Sequence, residues 1–192
     1  MSMTMADAAY EAHAAAEALD ELRAEAIADF QQERLRSYYE EHPEVTQQAI
    51  HTLKEAQALF EAKFISASLV FAFSATEQGL RNILLRPILS GLMHNELAAR
   101  LIAPLYFPLD RLPKFLFPIV AEIANLDLST YCRKDQPTTL WNEFGNLRVI
   151  RNAIVHHGER AKPDDACAAL AVGHAMLSDV CARVMSAVAP SE

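Results

Sequence analysis

The stretch Phe64–Leu85, FISASLVFAFSATEQGLRNILL, is apolar on almost every face when read at helical spacing. A helix with so little polar surface holds together only when other helices cover it. Ser66, Ser68, Ser74, Glu77, Gln78, Arg81 and Asn82 interrupt it too often for a bilayer span, so no membrane partner is expected. It is predicted to be the central helix of a bundle. Ala67, Ser68, Ala72, Ser74 and Ala75 are small enough to let neighbouring helices approach closely. Ala and Leu dominate the chain, β-branched runs are few and there are only five glycines, which points to an all-α fold. At 192 residues the chain can bury a core without disulfides or a structural metal.

The rest of the chain supplies the covering helices. Residues 1–42 read as one long Ala- and Glu-rich helix, with Leu35 and Tyr38 among its apolar positions, broken by Pro43. The organisation predicted is an N-terminal helical extension over 1–43 and a helical domain over 44–192. Residues 44 to about 86 read as a second long helical region, closed by Pro87. Met93–Ile102 suits a short helix, Leu105–Lys114 a proline-broken connection, Phe115–Leu126 a helix and Asp127–Gln136 a loop. A last helix starts at Pro163-Asp164-Asp165 and runs to about Val188, with Ala169, Val172, Met176, Val180 and Val184 inward.

Charge is unevenly spread. Residues 1–60 carry 12 acidic and 4 basic side chains, which is the whole net charge of −8, and residues 61–192 carry 13 of each. That balance argues against broad nonspecific nucleic-acid binding and leaves room for a local basic cleft in the neutral part. Cys132, Cys167 and Cys181 have no metal-ligand spacing and are read as free, small core residues, which fits a reducing cytoplasm. The N-terminus is acidic and lacks the apolar run of a secretory signal, so a cytoplasmic location is expected.

The chemistry concentrates in Leu140–Gly158, LWNEFGNLRVIRNAIVHHG. Leu140, Phe144, Leu147, Ile150 and Ile154 recur every three or four residues, the beat of a helix with one buried face. Pro137, Thr138 and Thr139 suit its start, and Gly158 suits its C′ position. Set into it are Arg148, Arg151, Asn152, His156 and His157, groups that are costly to bury without partners. Asn152 and His156 are i,i+4 neighbours able to hydrogen-bond. Arg151 and His156 differ in direction by about 140°, so they meet only if the long arginine bends. Glu77 and Arg81 form a favourable i,i+4 pair on the central helix, and Glu77 has the alternative of reaching Arg151 or His156 across the bundle. His156 and His157 point about 100° apart, which is poor for joint metal ligation, and no metal or cofactor site is expected.

Arg151-Asn152-Ala153-Ile154-Val155-His156, within VIRNAIVHHG, resembles the signature of HEPN domains, an α-helical superfamily. That signature is an Arg, four to six residues and a His, with a polar residue usually following the Arg. The resemblance spans roughly residues 60–188. It implies a HEPN-like helical bundle, with the long N-terminal helix lying outside it. It further implies a homodimer, in which two motif helices meet across a two-fold axis and two sets of Arg151, Asn152 and His156 converge on RNA. Many such proteins are toxins of toxin–antitoxin or phage-defence systems, held in check by an antitoxin or other inhibitory protein. An acidic or polar residue facing the motif helix is also common, the place Glu77 would take.

Such a set suits metal-independent RNA cleavage. The ribose 2′-OH attacks the adjacent phosphate, leaving a 2′,3′-cyclic phosphate and a 5′-OH. An imidazole titrates near neutrality and can take or return a proton. A guanidinium can grip the phosphate and offset its growing charge. Asn152 would orient the imidazole or bind phosphate. Arg148 would contact substrate or pair with Glu143, and His157 would face solvent or the partner copy. Two other readings remain at this point. One is a non-catalytic HEPN-like nucleotide- or RNA-binding domain. The other is a helical protein-interaction module in which Arg151 and His156 merely suit the negative pole of the helix end.

Overall fold

The computed structural model describes residues 33–93 and 112–189, and over these the protein is an α-helical bundle. Residues 33–41 are helical (α1). After the turn at Pro43, α2 spans Glu44–Glu61 and α3 spans Ile65–Gln78. Without a break, α3 passes through a π turn, Gly79–Leu85, into α4, Arg86–Met93. Next come α5, Leu112–Ala124, and α6, Leu140–His157. The last rod is α7, Pro163–His174, a second π turn, Ala175–Cys181, and α8, Ala182–Val188. Among the described residues the one β pairing is an isolated bridge between Cys132 and Thr139. Most of the segment 1–42, the short helix at Met93–Ile102 and most of the Leu105–Lys114 connection lie outside the described residues.

The stretch that is apolar on most faces does occupy the centre. α3 packs against α2, α6 and α7, and the two π turns lie against each other. Leu69, Ala72, Phe73 and Ala75 are fully buried. Its buried hydroxyls are satisfied: Ser68 Oγ donates across to the Ala56 carbonyl of α2 at 2.8 Å and Thr76 Oγ1 to the Ala72 carbonyl of its own helix at 3.0 Å. The last rod is 26 residues long and apolar, and more than half of its apolar window is buried inside the bundle. Ala169, Val172, Met176, Val180 and Val184 all point inward.

Two expectations are corrected here. The helical region from residue 44 to 86 is a hairpin, broken at residues 62–64. Lys63 takes a left-handed conformation, φ 67°. Its N–H donates to the Phe60 carbonyl, and the Phe64 N–H to the Leu59 carbonyl, both at 2.9 Å. This is a Schellman closure with lysine where glycine is usual. It lets α2 fold back over α3, which one straight helix could not do. Pro87, in turn, does not end the helix, which continues to Met93. The π turn widens the backbone just ahead of the ring, and a proline in the first turn that follows has no N–H to satisfy. Farther along, α5 begins at Leu112, three residues earlier than the spacing predicts, and carries Pro118 inside it at an exposed position.

Long-range polar bonds tie the ends together. Tyr39 Oη donates to the Ile83 carbonyl in the first π turn at 2.6 Å, and Arg36 Nε to the Val188 carbonyl at 2.8 Å. Burial pushes the Tyr39 phenol far above its ordinary range, so it stays a donor. Arg183 caps the C-terminal end of α5, donating to the carbonyls of Ala124 and Asn125 at 3.1 and 3.0 Å. Of the three thiols only Cys181 is buried. Cys132 and Cys167 are exposed, which corrects their reading as core residues. Cys132 sits in the turn-rich loop and Cys167 on the outer side of α7.

At Gly79 the two rods lie close together. A Cβ there would meet Leu177 Cδ2 at 2.9 Å, Met176 Cγ at 3.3 Å and Cys181 Sγ at 3.4 Å. Gly79→Ala is expected to change stability by no more than about 1 kcal/mol in urea denaturation, since the Leu177 methyl is the end of a flexible side chain that can turn aside and alanine's better helix propensity offsets the crowding.

The loop ahead of α6 is held by Asp127. Its Oδ1 accepts from the Ser129 hydroxyl at 2.6 Å and the Ser129 N–H at 2.9 Å, and its Oδ2 accepts from Thr130 Oγ1 at 3.0 Å. The Ser129 hydroxyl is the largest cause that holds this carboxyl below its usual range, followed by the Ser129 N–H and Thr130. A depressed carboxyl adds stability above its unfolded pKa and loses it as pH falls through the folded value. Hydrogen exchange at Ser129–Tyr131 is expected to quicken relative to a neutral reference as pH drops below the ordinary carboxylate range. Asp127→Asn should remove that acid dependence.

Candidate functional site

The site is built on α6. Thr139 Oγ1 accepts the Asn142 N–H at 3.3 Å and so caps the helix start. Gly158, φ 69°, closes the far end, as its position in the sequence predicts. The preceding loop is clamped onto the helix by Arg133, whose Nε and Nη2 grip the Glu143 carboxylate at 2.7 and 2.8 Å. Glu143 is thus held by Arg133.

Leu140, Phe144 and Leu147 are buried beneath α6. Steps of about 100° per residue then place Arg151 beside this buried face, with Val155, Arg148, Asn152 and His156 progressively farther round toward solvent. His157 falls on the opposite flank. Arg151, Asn152 and Arg148 are half-buried, whereas His156 and His157 are exposed.

Arg151 is the best-anchored member. Its guanidinium carbon lies 5.3 Å from the centre of the Phe73 ring. Phe73 is itself stacked on Phe144, with centroids 4.7 Å apart and planes within 3°. Nη2 of Arg151 pairs with Glu77 Oε2 at 3.6 Å, and Glu77 Oε1 lies 3.8 Å from Arg81 Nε. Nη1 of Arg151 donates to Asn152 Oδ1 at 2.9 Å. Its Nε is buried and finds no acceptor among the described residues. Glu77 thus bridges two arginines, one on its own rod and one on α6. The bond expected between Asn152 and His156 is replaced by the bond from Arg151, which takes the amide oxygen.

His156 makes no hydrogen bond or ion pair among the described residues. It stands on the outer side of α6 together with Val149, which is 70% exposed. Gly145 lies on the same side, and a Cβ added there would meet nothing within 4 Å. One copy of the chain therefore brings Glu77, Arg81, Arg151 and Asn152 together and leaves His156 apart from them. Among the described residues no group of three or more His, Cys, Asp or Glu side chains converges.

Sequence reasoning passed over Phe73 and Phe144, the platform under Arg151. Both sit on apolar beats that read simply as core. It also passed over the link from the Ala161 N–H to Ser66 Oγ, 2.9 Å, which ties the loop after α6 to the start of α3.

Chemically, the cluster is a cation held on an aromatic face and steered by a carboxylate, with an exposed imidazole farther round the same helix. Compared with family models, with curated proteins and with solved structures, the chain matches none.

Proposed function

We propose that the protein is a metal-independent endoribonuclease of the HEPN type, acting as a homodimer. The observation that carries the reading is the division of α6. Arg151 is fixed on the Phe73 ring beside Glu77, while His156 stands exposed on the outer side next to Val149. A second α6 packed antiparallel across that outer side would bury Val149 and set the two imidazoles close together, and each Arg151 would reach them by bending round its helix. Burial of exposed valines is favourable, and a two-fold contact uses the same patch on both copies.

In such a groove His156 would take the proton of the ribose 2′-OH or return one to the leaving 5′ oxygen. Arg151 would hold the phosphate and offset its charge in the transition state. Asn152 keeps the guanidinium in place through its amide oxygen and has N–H donors left for a phosphate. Arg148 and His157 would flank the bound strand. A toxin or defence role, with a neutralising partner protein, follows from the resemblance.

A second reading has an observation of its own. Arg151 already has Glu77 and Asn152 as partners within one chain, which favours a non-catalytic RNA- or nucleotide-binding or protein-interaction module. Incubation of the purified protein with total RNA and tRNA in EDTA, with end-group analysis, separates the two. New 5′-OH and 2′,3′-cyclic phosphate ends from a dimeric protein support the nuclease. Intact RNA, or a stable monomer, rules it out.

A further inference from the structure

Beyond the end of α6 lies a second feature that the proposed chemistry does not use. A cavity of about 430 Å³ is lined by Lys63, Phe64, Ile65, Ser66, Ala67, Arg160 and Ala161. Phe64 at its mouth is 62% exposed. In a Schellman closure the residue in this place commonly packs back on its helix, whereas here the ring is turned to solvent. Beside it, Lys63 and Arg160 are both exposed. Among the described residues neither forms an ion pair. The nearby Glu61 is engaged by Gln57 Nε2 at 2.9 Å, and Glu159 pairs with neither cation. Lys63 also occupies a left-handed position that glycine would fill without strain, φ 67°.

An exposed ring flanked by two such cations offers a stacking face and two phosphate contacts, the pairing by which proteins hold single strands. The bond from Ala161 to Ser66 fixes the cavity to the end of the motif helix. Arg160 is four residues beyond His156, a span of at most about 14 Å of chain.

We infer that Lys63, Phe64 and Arg160 form a subsite for single-stranded RNA: one unpaired base stacks on Phe64 and the adjoining phosphates rest on Lys63 and Arg160. The inference rests on the ribonuclease reading for the identity of its ligand, and assigns that site its substrate class. A strand held here continues toward His156, so cleavage falls in unpaired segments rather than within duplexes. Readout by stacking makes the subsite tolerant of sequence.

The test is a fluorescence titration of the full-length His156→Ala protein with a labelled oligouridylate in EDTA, over a series of salt concentrations. Phe64→Ala added to that protein is expected to weaken binding roughly five- to hundredfold. Phe64→Trp should restore it. Lys63→Ala with Arg160→Ala should reduce the slope of log affinity against log salt by about 0.7 for each lost phosphate contact. Unchanged affinity in these variants, or no binding by the starting protein, overturns the subsite. So does a change in sedimentation mass on Phe64→Ala without a change in RNA affinity, which would make the patch a protein contact. Cleavage by the otherwise unaltered protein is read separately by end-group analysis. Cleavage that ignores Phe64 removes the subsite and leaves the nuclease standing, whereas Phe64-dependent binding without cleavage does the reverse.

Discussion

His156→Ala is expected to lower RNA cleavage in EDTA by roughly 10²- to 10⁴-fold, the usual contribution of a positioned proton-transfer group. The residue is exposed and makes no internal bond among the described residues, so its loss should change folding stability by no more than about 0.5 kcal/mol. Circular dichroism and sedimentation of the variant should match those of the unaltered protein. That separation makes it the cleanest probe of the site. Arg151 is less clean, because its removal strips Glu77 of a partner and bares the Phe73 ring. Arg151→Lys is the better companion: it keeps the charge and loses the planar fork that grips a phosphate through two donors. A drop of roughly 10²-fold or more in cleavage is expected of it, with sedimentation mass unchanged. Undiminished cleavage in both variants would take α6 out of the mechanism.

Phe73→Ala is expected to cost about 3–5 kcal/mol in urea or thermal denaturation. The ring is fully buried on the central helix and parallel to Phe144, which in turn lies 5.4 Å from the Trp141 ring. Trp141 meets Phe117 edge-on at 5.2 Å, so the aromatic chain joins α3, α6 and α5. Deleting its first ring leaves a cavity in the core and removes the surface on which Arg151 rests. Phe73→Leu fills more of that space and should cost less. If the guanidinium depends on the ring for its placement, the leucine variant will lose activity at temperatures where it remains folded. An alanine variant as stable as the unaltered protein would mean that the stack contributes little.

The central helix was readable because its residues are apolar on nearly every face, which leaves only one place for it. The ends of α6 were readable because Thr139 and Gly158 act through backbone geometry within a turn of themselves. The break at residues 62–64 was hidden, since neither Gly nor Pro marks it and Lys63 takes on a glycine's role. Pro87 misled for the opposite reason: a strong local signal was overridden by the π turn ahead of it. At the site, the Glu77–Arg81 pair could be read from spacing, but the reach of Glu77 to Arg151 depends on how two distant helices are set against each other. The same holds for the stacking of Phe73 on Phe144. Cys132 and Cys167 lie outside the core because composition ranks residue types and does not place individuals.

The anchoring of residues 33–41 carries a practical corollary for anyone trimming the chain. Leu35 and Tyr38 are inside the core and Arg36 fastens the far end of the molecule. A cut at Pro43 would confound loss of whatever the leading residues do with collapse of the bundle's own floor. Removal of residues 1–32 alone would leave Leu35, Arg36 and Tyr38 in the chain.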